Sequence, residues 1–185
     1  MDFNVVSWEK LQDELYTLSQ KIEKSKTKPD LIVAIARGGM VSAQVLSDFL
    51  HLPVASFTVK SYKDLQQKSE PKITFKLGEK LHNRHILLID DVSDSGKTFM
   101  RGIEYLKELG ASHITTAAVY VKPWTSHMPD FYLRSLDEWI IFPYEMRETI
   151  ESLKTMWVEE GLKKDEIAEK LLNLDFPEEL IERYV

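Results

Sequence analysis

The residues with the most chemical content lie between positions 86 and 98: Ile86-Leu87-Leu88-Ile89-Asp90-Asp91-Val92-Ser93-Asp94-Ser95-Gly96-Lys97-Thr98. A short apolar run ends in two adjacent carboxylates, and a small polar segment then leads into a helical pattern. Ser95, Gly96, Lys97 and Thr98 can turn backbone N–H groups toward one point, where the following helix also presents its positive end. That is an anion cradle, best matched to a terminal phosphate. Gly96 lets the backbone approach a ligand closely. Asp90 and Asp91 do not bind phosphate directly; they can accept hydrogen bonds from sugar hydroxyls, or hold Mg²⁺ that is itself shared with a phosphate. A phosphate cradle beside paired carboxylates points to a phosphorylated sugar with free hydroxyls. Gly96-Lys97-Thr98 also matches the end of the nucleotide-binding pattern G-x-x-x-x-G-K-[ST]. Its first glycine would fall at position 91, which is Asp91, and a carboxylate facing a triphosphate is repulsive. The nucleotide-loop reading fails there.

These residues need a scaffold, and the hydrophobic pattern supplies one. Ser7 to Ser25 places Trp8, Leu11, Leu15, Leu18 and Ile22 on one helical face. Leu31 to Ala36 is a continuous apolar run, suited to a strand buried on both faces. Arg37-Gly38-Gly39 reads as a turn, Met40 to Leu50 as a helix and Val54 to Val59 as a second strand. From Lys60 to Arg84 the chain is polar and lysine-rich, the pattern of a functional lid or mobile excursion. His85 to Ile89 is a third strand, Asp90 to Lys97 a loop, and Thr98 to Leu109 a helix stopped by Gly110. Ile114 to Val121 is a fourth strand closed by Lys122-Pro123, and Trp139 to Phe142 a last short one. Strands alternating with helices predict an α/β fold, a mainly parallel open sheet flanked by helices. Ligands of such sheets bind at the carboxyl ends of the strands. Arg37-Gly38-Gly39, Asp90-Asp91 and Lys122 should therefore share one edge.

Composition bounds the rest. The 185 residues suffice for one domain and a small appendage, and the charges sum to 24 − 30 = −6. With 43% hydrophobic and 29% charged residues the chain has a soluble globular composition, which excludes a disordered one. No apolar run approaches the roughly 18 residues of a membrane helix, so no membrane partner is expected. There is no cysteine, hence no disulfide framework, thiolate metal site or cysteine nucleophile. The first residues lack the layout of a signal peptide, and a cytoplasmic protein is expected. The acidic balance argues against a nucleic-acid partner.

The predicted division is a domain over 1–145 and a helical extension over 146–185. The extension has 6 basic and 11 acidic residues, so 6 − 11 = −5 of the net charge lies there. Ile150, Leu153, Trp157, Leu162, Ile167, Leu171 and Leu172 suggest two short amphipathic helices around Gly161. They read as a cap on the domain or on a partner subunit. A DNA-binding helix pair would need basic charge for phosphate contacts. His51, His82, His85, His113 and His127 show no metal-ligating spacing and read as structural or solvated.

The stretch Ile86 to Thr98 resembles the signature of the type I phosphoribosyltransferases: four apolar residues, two acidic residues, then a loop ending in [Thr/Ser]-Gly-x-Thr. The resemblance implies the fold of that family and binding of 5-phosphoribosyl-1-pyrophosphate (PRPP). Asp90 and Asp91 would meet the ribose hydroxyls, with Mg²⁺ as cofactor. Asp94, Ser95, Gly96, Lys97 and Thr98 would hold the 5′-phosphate. Arg37 and Gly38 would belong to the pyrophosphate loop, where the family often has a cis peptide, here Ala36–Arg37. Ser61-Tyr62 resembles a pair in a mobile loop that closes over the site and excludes water.

Ala118 to Pro123 and Trp139 to Glu145 look like the base-binding segments of 6-oxopurine enzymes, closest to xanthine–guanine phosphoribosyltransferases. Lys122 would donate to the purine O6, Trp139 would stack on the ring, the Ile140 backbone would reach the purine edge and Glu145 would accept from an amino or ring N–H. On the residues alone, Trp139 also fits a core, Lys122 a solvated strand end and Glu145 a helix cap. The implied activity joins PRPP to a purine base and releases pyrophosphate, with Asp94 as the base for the purine proton, in a homodimer or homotetramer. Two alternatives stand beside it: a phosphoribosyltransferase for adenine or a pyrimidine, and a non-catalytic PRPP-binding regulator.

Overall fold

Every residue from Leu31 to Ile35 is apolar and buried, so this segment sits at the centre of a sheet covered on both faces. The computed structural model describes residues 2–60, 63–64, 67–68, 70–78 and 80–185. In chain order its elements are β1 (Phe3–Val5), α1 (Trp8–Lys24), β2 (Leu31–Ala36), α2 (Gly39–Leu50) and β3 (Val54–Lys60), then β4 (Lys63–Asp64), β5 (Gln67–Lys68) and β6 (Lys72–Phe75). There follow β7 (His85–Ser93), α3 (Lys97–Glu108), β8 (His113–Val121), β9 (Arg134–Ser135), β10 (Trp139–Ile141), α4 (Met146–Glu159), α5 (Lys164–Leu172) and α6 (Glu178–Tyr184). They fall into two compact units, residues 12–137 and residues 1–11 with 138–185.

The larger unit holds a six-stranded sheet of order β6-β3-β2-β7-β8-β9. All neighbours are parallel except β6, which runs antiparallel to β3. The α/β class and the mainly parallel sheet are as the sequence predicts. The chain winds outward from β2 to β3, then returns to the other side of β2 for β7 and β8. The strand order therefore reverses between β2 and β7, the place where an open parallel sheet leaves a crevice at its carboxyl edge. Leu31, Val33 and Ile35 of β2, Ile86 and Leu88 of β7 and Phe57 of β3 join Phe99, Tyr105 and Leu106 of α3 in one core cluster. Tyr105 also ties Leu77 into that core, its hydroxyl accepting from the Leu77 N–H at 2.8 Å.

The smaller unit has its own core. Ile141, Ile150, Leu153, Trp157, Ile167, Leu171, Phe176 and Ile181 are buried together, and Phe3 meets Trp157 edge-on at 6.3 Å. β1 and β10 pair in parallel as a separate two-stranded sheet, Phe3 opposite Trp139 and Val5 opposite Ile141.

Three expectations are corrected, and the polar Lys60–Arg84 stretch is seen to contain β6 on the sheet edge and the small β4–β5 pair. The expected loop from Asp90 begins later, because Asp90, Val92 and Ser93 keep pairing with Ala118, Tyr120 and Val121 of β8. The strand at Trp139 belongs to the small sheet rather than the main one. The tail forms three helices, not two, since Pro177 opens α6 after Phe176 has packed into the core. Ser61 and Tyr62 lie outside the described residues. No helix among the described residues is long and apolar enough to cross a membrane.

Candidate active site

β2 and β7 run side by side as far as Ala34 and Ile89, and both deliver functional residues at their carboxyl ends. After β2 the chain turns at a cis Ala36–Arg37 peptide, the bond at which the family resemblance implies one. Arg37 is exposed, and Gly38 precedes α2. The turn lies directly against β7. The Gly39 N–H donates to the Asp90 carboxylate, and a Cβ on Gly39 would stand 2.4 Å from the Ile89 carbonyl oxygen. A Cβ on Gly38 would fall 2.4 Å from Asp91 Oδ2. Two glycines therefore let the β2 turn reach the paired carboxylates.

Asp90 is buried while Asp91 is half-buried. Each bonds the backbone that follows it: Asp90 Oδ1 accepts from Asp91 N at 3.1 Å and Asp91 Oδ1 from Val92 N at 2.7 Å. Burial first, and the Asp91 carboxylate second, push the Asp90 carboxyl well above the usual carboxylate range. Two ionised carboxylates side by side repel, so a divalent cation or hydrogen-bond donors of a ligand would favour the doubly charged pair. Among the described residues no group of three or more histidines and carboxylates could hold a metal. A divalent cation here would have to share Asp90 and Asp91 with substrate oxygens, which is how Mg²⁺ is commonly bound.

The cradle follows. Gly96 stands at φ 78° before α3, a left-handed conformation that favours glycine. Its α-carbon also has no room for more: a Cβ would meet His127 N at 2.4 Å and Ser126 Oγ at 2.9 Å. No side chain caps α3, so its first N–H groups, beginning at Lys97 and Thr98, lack intrahelical partners and suit an anion. Asp94, Ser95 and Lys97 are exposed in this loop. On the far side of β7, Lys122 at the end of β8 is buried and its N–H donates to Ser93 O at 3.0 Å. The larger unit therefore brings Arg37, Gly38, Asp90, Asp91, Asp94 to Thr98 and Lys122 to one sheet edge.

Trp139, Ile140 and Glu145 belong to the smaller unit. Trp139 is exposed on β10 with its N–H donating to Asp2 O at 2.9 Å. Ile140 pairs with Asn4. Glu145 stands just before α4, yet its carboxylate accepts from the Phe142 N–H at 3.2 Å rather than capping the helix.

Sequence reasoning passed over three residues of this edge. Trp124 donates through its indole Nε1 to Asp94 Oδ1 at 2.9 Å. Ser126 and His127 pack against Gly96, and burial lowers the His127 pKa, opposed by Asp130. The available signal was a tryptophan directly after Lys122-Pro123. His85 and His113 stand opposite one another on β7 and β8 with rings 4.4 Å apart, a structural contact within the sheet.

A parallel sheet with paired carboxylates and a glycine-led anion cradle at its reversal point defines an α/β protein whose sheet edge suits a phosphorylated, hydroxyl-bearing ligand. The family model of the phosphoribosyl transferase domain matches residues 4–149, and the chain belongs to this family. It is 34% identical over 151 residues to a xanthine-guanine phosphoribosyltransferase of Cereibacter sphaeroides, covering 76% of this chain and 86% of that one. Among solved structures it resembles a purine phosphoribosyltransferase from Pyrococcus horikoshii, with 37% identity, a TM-score of 0.71, and coverage of 78% of this chain and 95% of that one. A Helicobacter pylori xanthine-guanine-hypoxanthine phosphoribosyltransferase matches with 25% identity and a TM-score of 0.70, covering 83% of this chain and 99% of that one.

Proposed function

We infer that the protein transfers the phosphoribosyl group of PRPP to a 6-oxopurine, giving the nucleoside monophosphate and pyrophosphate. The observation that carries the PRPP half is the meeting of Asp90, Asp91 and the Gly96 cradle where the strand order reverses. Sequence relatedness to xanthine-guanine phosphoribosyltransferases supports the oxopurine half. Lys122, a cationic donor at the end of β8, suits the O6 acceptor of such a base, whereas adenine carries a donor there. Trp139, Ile140 and Glu145 are assigned to the base on the family resemblance of their segment.

In this reading the bond from ribose C1 to pyrophosphate breaks early, a purine nitrogen bonds to C1, and the proton lost by the purine passes to Asp94. The 94–98 cradle fixes the 5′-phosphate, and Asp90 with Asp91 orients the ribose. Arg37 opposes the charge that grows on the departing pyrophosphate. Mg²⁺, held through Asp90 and Asp91 with substrate oxygens, would neutralise part of that same charge. Assembly as a homodimer or homotetramer is part of the proposal and rests on the resemblance alone. The direct test incubates the protein with Mg²⁺, PRPP and guanine and follows nucleotide formation by chromatography. Guanosine monophosphate appearing in step with pyrophosphate is expected; pyrophosphate without nucleotide would refute transfer.

A further inference from the structure

The segment after β8 is fastened to the cradle at both ends. Lys122 N donates to Ser93 O at 3.0 Å, Ser126 Oγ donates to Ser95 O at 2.6 Å, and Ser93 Oγ donates to His127 O at 2.8 Å. Between these ties stands Trp124, 59% exposed. Burial does not hold so exposed a ring in place. Two polar contacts define its position instead: the indole N–H on Asp94 Oδ1 at 2.9 Å and the Lys122 ammonium 5.6 Å from the ring centroid. Among the described residues the indole is the one hydrogen-bond partner of the Asp94 side chain, which leaves Oδ2 for a ligand.

We propose that Trp124 is a positioning residue for the transfer reaction: its indole N–H fixes the Asp94 carboxylate, and its ring couples that carboxylate to Lys122. The proposal rests on the assignment of Asp94 as proton acceptor. An aspartate on an exposed loop samples several rotamers, and one charge-assisted hydrogen bond from a rigid indole selects among them. The cation held against the ring face ties the same indole to the group assigned to the purine O6. A proton acceptor works only within hydrogen-bond reach of its proton, so the gain appears in turnover rather than in PRPP binding.

The test is a cycle of Trp124→Phe, Asp94→Asn and the double variant, read as kcat, KM and PRPP affinity. Phenylalanine keeps the ring under Lys122 and removes only the N–H. Trp124→Phe is expected to lower kcat about tenfold, as for loss of one hydrogen bond to a charged group, with the KM for PRPP unchanged within about twofold. In the Asp94→Asn background it should cost nothing further. The emission of wild type minus that of Trp124→Phe isolates Trp124, and Asp94→Ala should shift this difference spectrum whatever the activity. An unchanged kcat in Trp124→Phe, the same loss in both backgrounds, or an unmoved difference spectrum would overturn the positioning role. Wild-type kcat in Asp94→Asn would instead remove the assignment of Asp94, and the positioning role with it.

Discussion

Gly38→Ala is the sharpest probe of the paired carboxylates. The backbone at position 38 has φ −51° and ψ −49°, which alanine adopts without strain. The new Cβ would meet only the Asp91 carboxylate among its three nearest atoms, with Oδ2 at 2.4 Å and Cγ and Oδ1 at 2.6 Å. Ordinary contact begins at 3.4 Å, so the carboxylate must retreat by 3.4 − 2.4 = 1.0 Å. Retreat breaks or stretches the 2.7 Å bond that Asp91 Oδ1 accepts from Val92 N. Losing the ribose hydrogen bonds to a displaced carboxylate costs about 1.5–3 kcal/mol, or on the order of 10- to 100-fold in affinity. PRPP affinity by calorimetry, with the melting temperature as control, is the assay. The expected result is a loss of that order in affinity with a melting temperature shifted by only a few degrees. Gly39→Ala is the contrasting variant, since its Cβ meets the backbone at Ile89 O and should destabilise the fold itself. Gly38→Ala with wild-type PRPP affinity would refute the placement of Asp91 on the ribose.

Burial and then Asp91 raise the Asp90 pKa, so the folded state binds that proton more tightly than the unfolded state. Stability from Asp90 is therefore present in acid and lost as pH rises from about 3.8 through the raised folded value. Asp90→Asn should raise the melting temperature at neutral pH while weakening PRPP binding; a lower neutral melting temperature would count against the burial account. His127 has the opposite sign, because burial lowers its pKa. Its contribution is complete above pH 6.5 and is lost as pH falls below that value. His127→Asn should flatten the stability slope just below pH 6.5, and an unchanged slope would place the cause elsewhere. Lys122→Ala should raise the KM for guanine by about 10- to 100-fold, as for a lost charged hydrogen bond, and leave PRPP affinity unchanged; an unaltered guanine KM would end its assignment to O6.

The strands that build the site were legible because burial on both faces forces an uninterrupted apolar run. Leu31 to Ala36 announced β2 with its observed ends. The end of β7 was not legible, because Asp90 and Ser93 are polar and their strand character comes from pairing with β8, a long-range fact. β1 was invisible for the same reason: Phe3, Asn4 and Val5 are too short a run to establish a period and become a strand by pairing with β10. The cradle was readable from Ser95 to Thr98 because a turn into a helix demands small residues and glycine locally. The Trp124–Asp94 bond spans thirty positions; Lys122-Pro123 marks Trp124 as close to the strand end, but nothing local points to Asp94 as its partner. The cis peptide at Ala36–Arg37 was reached only through family resemblance, since no local residue preference favours it.

The central claim is tested most directly by pyrophosphate release with Mg²⁺ and PRPP, offering hypoxanthine, guanine, xanthine, adenine, uracil and orotate separately. Turnover confined to the three oxopurines is the predicted result. Turnover with adenine or a pyrimidine would keep the PRPP site and contradict the assignment of Lys122 to the base. No turnover with any base, with PRPP still bound, would contradict transfer itself and leave a PRPP-binding regulator.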